Sequence, residues 1–228
     1  MRMPVVLDLP FLGRWRAEIS PARRVPSHGT DLFGITHAID FVAVDDGGRS
    51  APRTWRSWLS SEAPESFVGF GRQLFAPVAG TVVVAHDGEP DHVGRRSALT
   101  LVPYTLGQAA RVRAGIAAIA GNHVVIAIAP AGPFVALVHL RLGSLHVGVG
   151  DAVSVGDPLA ECGNSGNSTE PCVHIQVTDS VDWLRARGIP MAFRSYRSLT
   201  TGAIVRDGMP GEREVVEPLG PVALGRLS

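Results

Sequence analysis

Residues 172–177, Cys-Val-His-Ile-Gln-Val, alternate without a break. They predict a strand with Cys172, His174 and Gln176 on one face and Val173, Ile175 and Val177 on the other. The apolar face belongs to a core, so the polar row looks into a groove or at solvent. Other runs carry the same signal. "AIDFVAV" (38–44), "NHVVIAIA" (122–129) and "FVALVHL" (134–140) are short and apolar, and "PAGP" between the last two predicts a hairpin. "LFAPVAGTVVVAHDG" (74–88) reads as strand, glycine turn, strand. "GSLHVGVGDAVSVGDPLAECG" (143–163) gives two short strands with Gly-Asp turns.

The pattern changes in two places. Residues 89–120 are rich in Ala, Leu and Arg and lose the period of two, which predicts a partly helical insertion with a helix near 105–118. Residues 179–228, punctuated by Pro and Gly, read as a peripheral C-terminal extension, and residues 1–27 as a separate N-terminal segment. The body of the domain is then 28–178, and the fold class is all-β.

Hydrophobic residues make up 45% of the 228, enough for a sizeable core, and the 26 Gly and 17 Pro suit a turn-rich β protein. Formal net charge is zero, which gives no bulk basic surface for nucleic acid or anionic lipid. The N-terminal apolar run is broken by Asp8 and Pro10, unlike a signal peptide, and no run is long enough to span a membrane. A cytoplasmic protein is the default expectation, with a cell-wall or extracellular site requiring another export route. Two cysteines, Cys162 and Cys172, are too few for a disulfide framework. All 21 basic residues are Arg. That eliminates a lipoyl or biotin carrier, whose cofactor hangs on Lys, despite the Gly-Asp hairpin rhythm.

Three polar side chains are out of place in their strands: Asp40 within "AIDFVAV", His139 near the end of "FVALVHL", and His174. A carboxylate in an apolar run must be paired, hydrogen-bonded or metal-bound. Two imidazoles with a carboxylate suit a hydrolytic zinc site, which uses three protein ligands and leaves a position for water. The other histidines carry less. His123 and His146 read as exposed strand or turn positions, and His86 and His92 as flanks of a charged loop.

The order "APVAGTVV", "GNHVVIAI", "VHL", "GDPL", "CGNSGNST", "PCVHIQV" over residues 74–177 resembles the LytM/lysostaphin-type zinc peptidases, which cut peptide bonds in bacterial peptidoglycan. Upstream "SHGT" and "AIDF", and downstream "GIPMAF", extend the likeness. The resemblance implies an antiparallel β-sandwich or barrel-sandwich hybrid, a Zn2+ cofactor, and a peptide or peptidoglycan substrate. It implies Asp40 and His174 as metal ligands and His139 as an unligated catalytic histidine. The third ligand is His28, with His37 as the alternative, because the usual position four before the Asp is Thr36. Cys172 replaces a histidine that the family uses in catalysis. Its thiol is then a bystander beside a slowed site, a fourth metal ligand, or a disulfide partner of Cys162. A degenerate domain that binds wall peptides or regulates another hydrolase is the alternative reading.

Overall fold

The structure is a computed structural model and describes residues 3–52, 60–97, 99–100, 113 and 115–219. Thirteen strands carry the fold. They are β1 (Val5–Leu7), β2 (Trp15–Ile19), β3 (Ile39–Ala43), β4 (Gln73–Phe75), β5 (Gly80–His86), β6 (Asn122–Ala127), β7 (Phe134–Leu140), β8 (Ala152–Val153), β9 (Pro158–Glu161), β10 (Val173–Thr178), β11 (Met191–Ser198), β12 (Ile204–Gly208) and β13 (Val215–Pro218). Eleven of them form one sheet, in the order β1-β11-β13-β2-β3-β10-β7-β6-β5-β8, with β12 also on β11. All its pairings are antiparallel except β1 with β11. The path does not close into a barrel among the described residues.

The alternation at 172–177 sets the two faces. Val173, Ile175 and Val177 enter the main core with Phe41, Ile126, Leu137 and Phe193. Strands β4 and β9 form a second, two-stranded sheet, and their Leu74, Leu159 and Ala160 close the same core. A fully buried aliphatic or aromatic side chain contributes about 1.5–3 kcal/mol, so this one layer contact dominates stability. The opposite face carries a smaller cluster, with Trp183 and Ala186 over Val125, Ala136 and Val138. The hairpin expected around "PAGP" is β6–β7.

Two expected boundaries do not divide the structure. The N-terminal strands β1 and β2 pair with β11 and β13 of the C-terminal extension, and β2 pairs with β3. Trp15, Phe193, Tyr196 and Val216 share the main core. The extension is therefore not peripheral. Its alternation in "MAFRSYRS" is a sheet pattern that the scattered Pro and Gly conceal. Most of the helix expected near 105–118 lies outside the described residues, and α1 (Ile116–Ala120) is the described helical piece.

Candidate metal centre

The site lies where β3, β10 and β7 run side by side. Asp40 is directly opposite His174 in the β3–β10 register, and Val138 is opposite His174 on its other flank. Directly opposed residues share a face, so Asp40 and His174 both rise from the sheet away from the main core. The third member comes from the loop before β3. Between Asp31 and Ala38 the chain makes a 3-10 turn (Leu32–His37) containing two left-handed residues, Phe33 and Gly34. That compact turn lets His28 fold back over Asp40. His28, Asp40 and His174 each bring one ligand atom within 4.8 Å of the others. His37, at the end of the turn, is not in the group. Among the described residues no other set of three His, Cys, Asp or Glu converges so closely.

Hydrogen bonds decide which nitrogens face the centre. Gln176 Nε2 donates to the Phe33 carbonyl at 3.1 Å, so its Oε1 is left to accept from His174 Nε2–H at 3.0 Å. The lone pair of His174 Nδ1 then faces Asp40 Oδ1, 2.7 Å away. Ser27 Oγ donates to the Ile35 carbonyl at 3.2 Å and accepts from His28 Nδ1–H at 3.0 Å. The lone pair of His28 Nε2 faces Asp40 Oδ2 at 3.2 Å. Two imidazole lone pairs and a carboxylate thus point at one place, with the ring N–H groups anchored elsewhere, an arrangement that holds a cation. Burial works against charge here, yet the two imidazoles hold the Asp40 carboxyl well below the ordinary range. Burial likewise opposes protonation of His28. When His28 is protonated its Nε2–H donates to Asp40, and that charge and hydrogen bond outweigh burial and raise its pKa.

His139 reaches the same cleft by a different device. Val138 and His139 are consecutive and would point to opposite faces of a regular strand. Here His139 has φ 65°, and the β6–β7 register slips so that His123 opposes Val138 and Asn122 opposes Leu140. His139 is the unopposed residue of a bulge. Its Nδ1–H donates to the Ser165 carbonyl at 2.9 Å, leaving Nε2 as a lone-pair acceptor, and its ring centre is 6.1 Å from that of His174. Burial, with the neighbouring His174, pulls its pKa down to about 4, so it is neutral near pH 7.

The glycine- and serine-rich turn before β10 positions this histidine. Ser165 Oγ donates to the Leu140 carbonyl at 2.8 Å and accepts from Asn122 N at 3.0 Å, tying the turn to both strands of the bulge. Gly166 has φ 71°, and a Cβ there would meet the backbone N of Gly121 and lie 2.6 Å from the Ile119 carbonyl oxygen. Gly166→Ala is therefore expected to destabilise the chain by at least about 2 kcal/mol, combining left-handed strain with a backbone clash. Urea unfolding checks this, and unchanged stability contradicts the close approach.

Cys172 sits at the edge of the polar row, 8% exposed, with Sγ 3.2 Å from Ser168 Oγ. It is outside the converging group, and both cysteines are free thiols. Burial and the Asp40 charge raise its pKa well above the usual thiol value, which keeps it neutral. His123, expected to be exposed, is only 6% exposed: its ring centre lies 5.2 Å from that of His86 and 5.1 Å from that of Trp183. His146 is exposed, as read. Sequence reasoning missed the roles of Ser27 and of the Ser165 carbonyl. A main-chain carbonyl leaves no signature in residue type.

His28, Asp40, His139, Cys172 and His174 line one cleft of about 800 Å³. No helix among the described residues is long and apolar enough to cross a membrane. No protein-family model matches the chain, and no curated protein does. Solved structures similar to it include peptidases of the LytM, lysostaphin and M23 kinds and a SpoIIQ–SpoIIIAH pore-forming complex. The catalytic domain of lysostaphin from Staphylococcus simulans shares 16% identity over 78% of this chain and 88% of its own, with a TM-score of 0.39. The catalytic domain (A109H mutant) of the prophage-encoded M23 protein EnpA from Enterococcus faecalis shares 16% over 83% of this chain and 91% of its own, with a TM-score of 0.39. A protein described as a glycyl-glycine endopeptidase, LytM, from Ruminococcus gnavus ATCC 29149 shares 16% over 67% of this chain, which spans 42% of its length, with a TM-score of 0.36. At that identity and overlap, residue roles rest on this chain's own geometry.

Proposed function

We propose that this chain is a zinc-dependent endopeptidase that hydrolyses amide bonds in peptidoglycan peptides. The observation that carries the reading is the convergence of His28, Asp40 and His174, lone pairs inward, on the floor of an open cleft. Two nitrogens and a carboxylate oxygen are the donor set of hydrolytic zinc sites. When bound, the ion supplies a Lewis acid for the scissile carbonyl and lowers the pKa of water toward neutrality.

The remaining steps belong to the protein. Gln176 and Ser27 fix the tautomers and ring angles of His174 and His28, so little reorganisation accompanies binding. His139, neutral and held through Nδ1, takes a proton at Nε2 and can return it to the leaving amine. Cys172, a neutral thiol, neither ligates nor accepts a proton in this scheme.

Purified protein is expected to hold about one zinc per chain by elemental mass spectrometry, and chelation to abolish cleavage of muropeptides. His28→Ala should lose the metal and His37→Ala should keep it. The reverse pattern would move the third ligand to His37. Cys172 in the place of a histidine favours a second reading, a non-catalytic domain that binds wall peptides. Wild-type turnover excludes it.

A further inference from the structure

The aim of His139 depends on its Nδ1–H bond to the Ser165 carbonyl, at 2.9 Å, which leaves the Nε2 lone pair for chemistry. Ring and carbonyl belong to different segments, the end of β7 and the turn 163–167. Their separation needs a tie. The loop over 87–92 supplies it. Both carboxylate oxygens of Asp91 are taken by main-chain donors: Oδ2 accepts from Leu142 N at 3.0 Å, three residues beyond His139, and Oδ1 accepts from Asn164 N at 2.6 Å, just before Ser165. One side chain thus joins the segment of the donor ring to that of the acceptor carbonyl. Bonds to a carboxylate are roughly twice as strong as neutral ones, which suits a clamp.

His92 tightens the same grip. Its Nε2–H donates to the Gly166 carbonyl at 2.7 Å, and its main-chain N donates to the Asn164 carbonyl at 3.2 Å. Asn164 Nδ2 returns a bond to the His92 carbonyl at 2.6 Å. The residues on both sides of Ser165 are therefore held by 91–92. Gly163 shows how close the approach is: a Cβ there would lie 2.6 Å from Asp91 Oδ1 and collide with the Arg141 backbone. Neither Asp91 nor His92 lines the cleft, so an effect on a reaction there must pass through another residue.

The geometry points to Asp91 as a positioning residue for His139: through Leu142 and Asn164 it holds the Ser165 carbonyl where the ring donates to it. Without that clamp the turn drifts from the ring and the Nδ1–H bond weakens. The imidazole then also takes the other tautomer, with its proton at Nε2 where the lone pair is needed. The consequence for rate rests on the hydrolase reading. The consequence for the His139 tautomer does not.

The test uses the full chain purified with zinc. Nitrogen-15 NMR of the histidine rings reads the tautomers, and the His139 signals are assigned by their loss in His139→Ala. The wild type should show the Nδ1–H form and Asp91→Ala a mixture of both forms. In Asp91→Ala kcat is expected to fall about 10- to 100-fold, the usual effect of removing a supporting group. KM and zinc content should stay near wild type. Asp91→Asn keeps the shape and one accepting oxygen, so it should lie between, and it carries the same tautomer test should Asp91→Ala fail to fold. Asp87→Ala is the control for loosening the loop, because Asp87 holds Gly143 N, at 2.9 Å, and not the turn. It should leave tautomer and kcat unchanged. In a chain already carrying His139→Ala, adding Asp91→Ala should lower kcat less than about threefold further, since residues that act through one ring are not additive. An undiminished fall in that background, or an unaltered His139 tautomer in a folded Asp91 variant, overturns the positioning role and leaves the hydrolase in place. Wild-type protein without turnover removes the hydrolase, and a tautomer shift in Asp91→Ala then still upholds the clamp.

Discussion

His174→Ala is expected to take zinc from about one ion per chain to none detectable and to abolish hydrolysis. The ring is held through Nε2–H by Gln176 Oε1 at 3.0 Å, its Nδ1 lies 2.7 Å from Asp40 Oδ1, and no other described His, Cys, Asp or Glu joins it, His28 and Asp40 in the converging group. Its loss leaves one imidazole and one carboxylate, too few donors for tight binding. It also strips Asp40 of a partner in a mostly buried position. Removing one member of such a pair costs on the order of 3 kcal/mol, so the metal-free variant should also melt several degrees lower. Elemental analysis, a turnover assay and a thermal melt read the three effects. Full zinc loading in the variant would end the assignment.

His139→Ala should separate chemistry from metal binding. This histidine keeps an Nε2 lone pair free of its Ser165 hydrogen bond and brings no ligand atom to the converging group. Zinc content should stay near that of the wild type while kcat falls by about 10²- to 10⁴-fold, the usual worth of a positioned acid–base group. KM should change little, because His139 is buried and its ring stands 6.1 Å from that of His174, close to the converging group rather than out along the cleft. Steady-state kinetics with parallel metal analysis decides it. A kcat within a few-fold of wild type would leave proton transfer to another group.

Much of this site could be read from residue order because misplaced polarity is a local signal. Asp40 and His174 interrupt alternating apolar runs, and the structure pairs them across adjacent strands. The choice between His28 and His37 was not legible in the same way. It depends on a turn with left-handed Phe33 and Gly34 that folds the chain back, and neither residue type announces that path beyond a single glycine. His139 was flagged by its place in an apolar strand, but its rotation into the cleft needs a bulge defined by the partner strand β6. The burial of His123 depends on Trp183, brought over it by the fold. The pairing of β1 with β11 joins segments near the two ends of the chain. Register between such distant segments is set by the shared core, and no short window of sequence encodes it.

That end-to-end pairing bears on how portable the chemistry is. Trimming the gene to 28–178, the span with the peptidase-like motifs, would delete the neighbours of β3 on its β2 side and expose the flank of Phe41, which now packs 5.1 Å from Phe11 and 5.6 Å from Phe193. Such a fragment is not an interchangeable cartridge for enzyme chimeras. Grafts that keep the His28, Asp40 and His174 strands and loops intact should still carry both flanking arms, or the naked seam along β3 will recruit other molecules and precipitate.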